Sequence, residues 1–214
     1  RTTVRRFGHS VSINGGELIV GAPEDPNDAT GKNPIPSAGS AYLFSRNPNG
    51  FWYQTNKITA NERLSTNFGR SVAFSGTYAI VGEPNGFTDV NGDNDLAEAG
   101  AAYIFQIQQG GLALLQKIVE SDRTAGNNFG SCVALDGNTA MVGGRGGGVC
   151  VFEQKANGWQ GTEKLSSSLG WVGDFGSSIS VNLKTGVALI GSPREEQLGA
   201  AYYFKIDTSG KWKL

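Results

Sequence analysis

Phe68-Gly69-Arg70-Ser71-Val72, Val81-Gly82-Glu83-Pro84 and Ala102-Tyr103-Ile104-Phe105 are three short words that decide the fold, because they recur. An earlier set reads Phe7-Gly8-His9-Ser10-Val11, Val20-Gly21-Ala22-Pro23 and Ala41-Tyr42-Leu43-Phe44. A later one reads Phe129-Gly130-Ser131-Cys132-Val133, Val142-Gly143-Gly144 and Val149-Cys150-Val151-Phe152. The last reads Phe175-Gly176-Ser177-Ser178-Ile179, Ile190-Gly191-Ser192-Pro193 and Ala201-Tyr202-Tyr203-Phe204. A fourth word trails each set: Trp52…Lys57-Ile58, Leu114…Lys117-Ile118, Trp159…Lys164-Leu165 and Trp212-Lys213-Leu214. A repeat of roughly 50 residues points to a propeller, a solenoid or an array.

Each word is short, apolar or alternating, and bounded by Gly, Asn, Asp or Pro, which is the pattern of a strand. Glu17-Leu18-Ile19-Val20 and its three counterparts are apolar on both faces, as in a sheet covered on both sides. No helix-length stretch with a 3.6-residue period lies between the words, so only other sheets can cover these sheets. Turns such as Asn14-Gly15-Gly16 and Ser75-Gly76-Thr77 join the strands into antiparallel meanders. Four meanders packed face to face make an all-β propeller with four-stranded blades. The expected blades are about 7–58, 68–118, 129–165 and 175–214, within one domain over residues 1–214. The Gly of Phe-Gly and of Val-Gly lack a Cβ, so crowded backbones can approach.

Phe-Gly followed by Val-Gly-Ala-Pro resembles the FG-GAP repeat of integrin α-subunit propellers and of many secreted microbial propellers. The resemblance runs from Phe7 to Leu214. It implies an extracellular or cell-surface setting, a role in binding or adhesion, and calcium as a frequent ligand. Family members usually close with seven blades, whereas four repeats are present here. They therefore form four blades alone or part of a larger propeller. Integrin-type repeats hold calcium between the Phe-Gly and Gly-Ala-Pro strands, and here that turn is too short to wrap an ion.

The 214 residues suffice for one sizeable core. With 18 basic and 19 acidic residues, no nucleic-acid or other polyanion partner is implied. No apolar run is long enough to insert in a bilayer. The chain begins at Arg1 without Met or secretory leader, as a mature product or a fragment would. Cys132 and Cys150 fall on the first and third strands of one blade. Those strands sit about 9–10 Å apart, beyond the roughly 7 Å Cα separation that a disulfide tolerates. Two free, buried thiols are expected.

Two connections are long: 24–39 and 85–100, on the face that carries the links between blades. Loops of that length in a compact domain are usually functional or disordered. The resemblance makes this the ligand-binding face, with Asp25, Asp28, Arg63, Arg123 and Trp171 as candidate contacts. Asp89-Val90-Asn91-Gly92-Asp93-Asn94-Asp95 matches the first half of a calcium loop, with Asp89, Asn91, Asp93 and Asp95 as oxygen ligands. The bidentate Glu at loop position twelve is replaced by Gly100, and a solvated acidic turn is the plain reading. Glu24, Asp25, Asn27 and Asp28 are a weaker set, interrupted by Pro26.

His9 aligns with Arg70, Ser131 and Ser177, so it occupies a variable position. Gly-x-Ser-Val lacks the second Gly of a nucleophile elbow, and its four copies cannot all be one nucleophile. Trp52, Trp159 and Trp212 recur and read as blade packing. The expected function is thus a non-enzymatic binding module that presents residues 24–39 and 85–100 to a protein or glycan. The alternative is a structural subunit that self-associates through the short edge strand at Trp212 into a filament or larger ring.

Overall fold

Residues 5–26, 36–60, 65–108, 111–145, 148–169 and 174–214 are described by the structure, a computed structural model. Among the described residues, sixteen strands form four sheets, each a simple meander of four antiparallel strands. Blade 1 contains β1 (Ser10–Asn14), β2 (Glu17–Ala22), β3 (Ser40–Arg46) and β4 (Trp52–Ile58). Blade 2 contains β5 (Val72–Ser75), β6 (Tyr78–Glu83), β7 (Ala101–Gln108) and β8 (Gly111–Ile118). Blade 3 contains β9 (Cys132–Asp136), β10 (Thr139–Gly144), β11 (Gly148–Lys155) and β12 (Gly158–Leu165). Blade 4 contains β13 (Ser178–Asn182), β14 (Val187–Ser192), β15 (Ala200–Ile206) and β16 (Trp212–Lys213). The only helical turn among the described residues is a short 3-10 segment at Glu195–Gln197.

The registers repeat. Ile19 faces Leu43, Ile80 faces Ile104, Met141 faces Val151 and Leu189 faces Tyr203. A register shift falls at the same place in three blades, between Leu43 and Phe44, Ile104 and Phe105, and Val151 and Phe152. A bulge there adds twist to the outer pair of strands. The Phe of each Phe-Gly word packs edge-on against the third strand of its own blade. Phe7 meets Tyr42 at 5.3 Å between ring centroids, Phe68 meets Tyr103 at 5.4 Å and Phe175 meets Tyr202 at 5.3 Å.

Because successive strand residues point to opposite faces, every blade has two apolar faces. The trailing face of blade 1 (Ile19, Ala41, Leu43) packs on the leading face of blade 2 (Val72, Phe74, Val81, Tyr103). Ile80, Ala102 and Ile104 of blade 2 then pack on Val133, Leu135, Val142 and Phe152 of blade 3. Met141 and Val151 of blade 3 pack on Phe175, Ile190 and Phe204 of blade 4. Neighbouring backbones nearly touch at these joints. A Cβ built on Gly21, Gly82 or Gly143 would lie 2.1, 2.0 or 2.3 Å from the carbonyl oxygen of Gly69, Gly130 or Gly176 in the next blade. No side chain fits there, which is why the second word of the repeat needs its glycine.

Among the described residues, the two outermost faces have no such cover. Leu189 and Tyr203 are 50% and 52% exposed on the trailing side of blade 4, although Ile80 and Ile104 at the same positions of blade 2 are fully buried. Val11 and Ile13 are likewise exposed on the leading side of blade 1. The four blades therefore form an open stack and not a sealed four-bladed ring. This also corrects the reading of Trp52 as blade packing. Trp159 packs on Tyr78 of the preceding blade at 5.4 Å and Trp212 is buried, but Trp52 is exposed, with no preceding blade among the described residues to pack on. The last strand is short, with β16 pairing only Lys205 and Ile206 of β15.

Both cysteines are free. Cys132 pairs with Gly143 and Cys150 with Val142, so the two flank β10 as the meander requires. Cys150 is buried and Cys132 is partly so. Burial pushes the Cys132 thiol up to about 11. Burial and then the nearby Glu120 carboxylate push Cys150 up to about 12. Thiolate is the reactive form, so neither is expected to react with a thiol reagent at neutral pH in the folded chain. Two equivalents should appear only after denaturation, and rapid labelling of the native chain would contradict this packing.

Candidate functional site

The turn that enters each Phe-Gly word fixes where the following side chain points. Asn67, Asn128 and Asp174 precede the Phe and adopt left-handed backbone angles, with φ of 57°, 52° and 60°. Asn and Asp tolerate this region better than other residues with a side chain. The turns close with Arg70 N–H donating to Asn67 O, Ser131 to Asn128 and Ser177 to Asp174, all at 3.0–3.1 Å. Arg70, Ser131 and Ser177 then line one depression of about 420 Å³, together with Asn85, Glu98 and Arg145. Asn85 and Glu98 come from the two ends of the 85–100 loop, so that loop forms part of the wall.

The depression is polar. Arg70, Arg145 and Glu98 are exposed, while Asn128 is buried and donates to Pro84 O at 3.1 Å. The Ser131 hydroxyl donates to Asn128 O at 2.7 Å and the Ser177 hydroxyl to Gly191 O at 3.4 Å, so both face carbonyls and not a base. Two guanidinium groups, amides and a carboxylate in an open concavity suit hydrogen bonding to a polar ligand. The sequence reading passed over these residues. Their signal was the position after Phe-Gly, which holds His9, Arg70, Ser131 and Ser177 on an otherwise repetitive frame.

The described residues that were singled out from the sequence fall elsewhere. Asp25 is fully buried: it accepts a hydrogen bond from Tyr42 and pairs with Lys57 Nζ at 2.9 Å. It is a structural carboxylate inside blade 1 and cannot meet an outside ligand. Blade 2 repeats the device, with Tyr103 donating to buried Glu83 at 2.8 Å. In blade 3, Lys164 pairs with buried Glu120 at 2.7 Å and the Cys150 thiol points at the same carboxylate at 3.7 Å. Blade 4 has Tyr202 donating to buried Glu195.

Arg123 also serves the fold. It donates to Asn94 O at 3.0 Å and to Phe87 O, strapping down the 85–100 loop. Inside that loop Asp89 accepts from Asn91 N–H at 2.8 Å and Asp93 N–H at 3.1 Å, and from the Asn94 amide. The Asn94 amide first, and then these two N–H groups, hold the Asp89 carboxyl below the usual carboxylate range. Asp89, Asn91 and Asp93 thus share one turn, which Arg123 holds from outside, and Asp89 faces the backbone of that turn. Among the described residues no three His, Cys, Asp or Glu side chains gather as a metal cluster. Calcium takes six to eight oxygens, and the Asp89 carboxylate already accepts three hydrogen bonds from its own turn. If Asp89, Asn91, Asp93 and Asp95 are calcium ligands, calcium should raise the melting temperature and Asp93→Ala should remove that rise. A melting temperature that calcium leaves unchanged would strike the site. Asp28, Arg63 and Trp171 lie outside the described residues, as does Asn27.

The FG-GAP repeat family model matches residues 3–44, 52–105 and 113–149. The match stops before the fourth repeat, which the structure shows to have the same meander as the other three. No curated protein matches the chain in sequence. Among solved structures it is similar to one from Bacteroides uniformis ATCC 8492, described as "a putative 6-phosphogluconolactonase". The TM-score is 0.48 at 9% identity, over 96% of this chain and 70% of that one. That similarity is too distant to carry chemistry from one chain to the other.

Proposed function

Because the chain belongs to the FG-GAP repeat family, we propose that it is a non-enzymatic, extracellular recognition module that holds a protein or glycan in its polar depression. The observation that carries this reading is the depression itself, whose variable side chains stand on an invariant frame. Arg70 and Arg145 supply charge-assisted donors to a ligand hydroxyl, carboxylate or peptide carbonyl. The 85–100 loop, strapped by Arg123, gives the wall its shape. The extracellular setting and the adhesive role follow from the resemblance to integrin-like and secreted propellers.

The test is an array of glycans and matrix proteins probed with the labelled chain and with an Arg70→Ala, Arg145→Ala variant. Each hydrogen bond to a charged group is worth about 1.5–3 kcal/mol, so binding should fall by at least about tenfold. Both side chains are exposed, so the melting temperature should not move. Undiminished binding by the variant would place the ligand elsewhere. Turnover of a bound ligand would sink the non-enzymatic part of the reading.

A further inference from the structure

The first two joints between blades are each built from two unlike halves, and in the third Cys132 stands where they have the serine. The trailing half offers a Ser hydroxyl on the first strand, a bare Gly on the second, and a backbone carbonyl at the end of the loop before the third. The leading half offers a Phe-Gly turn. Ser10 donates to Gly69 O at 3.0 Å and Ser71 to Gly130 O at 2.8 Å. Phe68 N–H donates to Ala38 O at 3.1 Å and Phe129 N–H to Ala99 O at 3.0 Å.

The same halves stand open at the two ends of the stack. Blade 4 presents Ser178, Gly191 and Leu198 where the interior joints use Ser71, Gly82 and Ala99. The three atoms nearest to a Cβ on Gly191 all belong to Ser178 and Ser177, and none is a carbonyl of a further blade. Leu198 is 91% exposed, whereas Ala38 and Ala99 are 6% and 1% exposed. Blade 1 presents Phe7, Val11 and Ile13, exposed by 50%, 68% and 64%, where Phe68, Val72 and Phe74 are exposed by 0%, 8% and 6%. A Cβ on Gly8 would meet nothing within 4 Å. One end therefore has the donors and the slot, and the other has the turn that fills them.

We propose that the trailing face of blade 4 docks on the leading face of blade 1 of a second copy, head to tail. The contact continues the interior joints, with Ser178 donating to Gly8 O and Phe7 N–H to Leu198 O. Leu198 is larger than the interior Ala and adds apolar surface to the contact. Two like faces cannot pair in this way, because a pair of leading faces has acceptor turns and no serine donors. A head-to-tail contact of this kind makes a ring when its rotation closes. Two copies would then close eight blades, within the range that propellers adopt. This inference does not depend on what the polar depression binds.

The test uses the full chain and two single variants, Val11→Asp on the leading face and Leu189→Asp on the trailing face. Both positions are exposed, so each variant should keep the native circular dichroism spectrum and melting temperature. Light scattering of the native chain should give twice the 22.5 kDa chain mass. Each variant alone should give half the native mass, and an equimolar mixture should recover pairing, because each supplies the face that the other has lost. A native chain that stays monomeric as concentration rises would overturn the proposal. It would leave a further blade of a longer polypeptide as the occupant of these faces. Pairing that survives Leu189→Asp alone would also overturn it, since the contact would then join two leading faces.

Discussion

Gly82→Val is expected to be among the most damaging single substitutions in the chain. Gly82 lies in the joint between blades 2 and 3, where a Cβ would sit 2.0 Å from Gly130 O and 2.4 Å from Ser71 Oγ. Neither neighbour can yield at low cost. Gly130 O belongs to a Phe-Gly turn held on both sides, and Ser71 Oγ donates to that same carbonyl. The branched side chain would force the two blades apart, lose this hydrogen bond and expose apolar surface around Ile80 and Val142. Overpacking costs about 1–3 kcal/mol and sometimes more, and loss of the hydrogen bond adds about 1 kcal/mol. We expect a loss of about 3 kcal/mol or more by denaturant unfolding, a large share of the roughly 5–15 kcal/mol that holds a domain folded. A stability within about 0.5 kcal/mol of native, the usual range for an inconsequential surface change, would mean that the joint is not close-packed. The same substitution at Gly15 offers a control of the opposite kind, because a Cβ there meets nothing within 4 Å. The remaining strain at Gly15 comes from its positive φ of 60°.

The second large effect is expected from Lys57→Met. Lys57 is the cation for Asp25, which is fully buried and also accepts from Tyr42. Burial first, and then the Asp25 contact, raise the pKa of Tyr42, so its hydroxyl stays protonated and remains a donor. Removing Lys57 takes a cation at 2.9 Å away from a carboxylate buried inside blade 1. Breaking a buried pair from one side costs about 3–5 kcal/mol. The double variant Asp25→Leu, Lys57→Met removes both charges and should recover most of that loss, since an apolar replacement of a buried pair is often close to neutral. A double-mutant cycle measures the coupling. If Lys57→Met alone were as stable as the native chain, the Asp25 pair would contribute nothing and the carboxylate would have to be hydrated or protonated.

Much of the fold was legible because its controlling residues are local and repeated. The Phe-Gly and Val-Gly words mark strands, and their spacing marks four-stranded meanders in the observed order. The placement of Cys132 and Cys150 on either side of β10 followed from that order alone. What the sequence could not show was which faces find a neighbour. Trp52 and Trp159 occupy the same place in their repeats, yet one is exposed and the other buried, because burial depends on a preceding blade and not on the residue.

The site was less legible, for a related reason. Asp25 and Arg123 look like surface charges in a loop. Their roles depend on Tyr42 and Lys57 in one case and on two carbonyls of a loop about thirty residues earlier in the other. Alternating oxygens at 89–95 suggest an ion, but an Asp followed closely by free N–H groups satisfies itself first. Conversely, Arg70 and Arg145 carry no motif, and only the convergence of separate turns brings them together.

The near-contact of Gly21, Gly82 and Gly143 with the following Phe-Gly turn has a consequence for how such chains change over generations. Because all three joints seat a bare glycine against a Phe-Gly turn, a duplication or deletion of one full repeat, from one Phe-Gly to the next, rejoins a slot and a turn that already match. No new kind of contact has to arise. Blade number can therefore drift by whole units while side chains at the rim diverge freely. Within a repeat the same frame is intolerant, since shifting a cut by one residue turns every strand side chain to the opposite face.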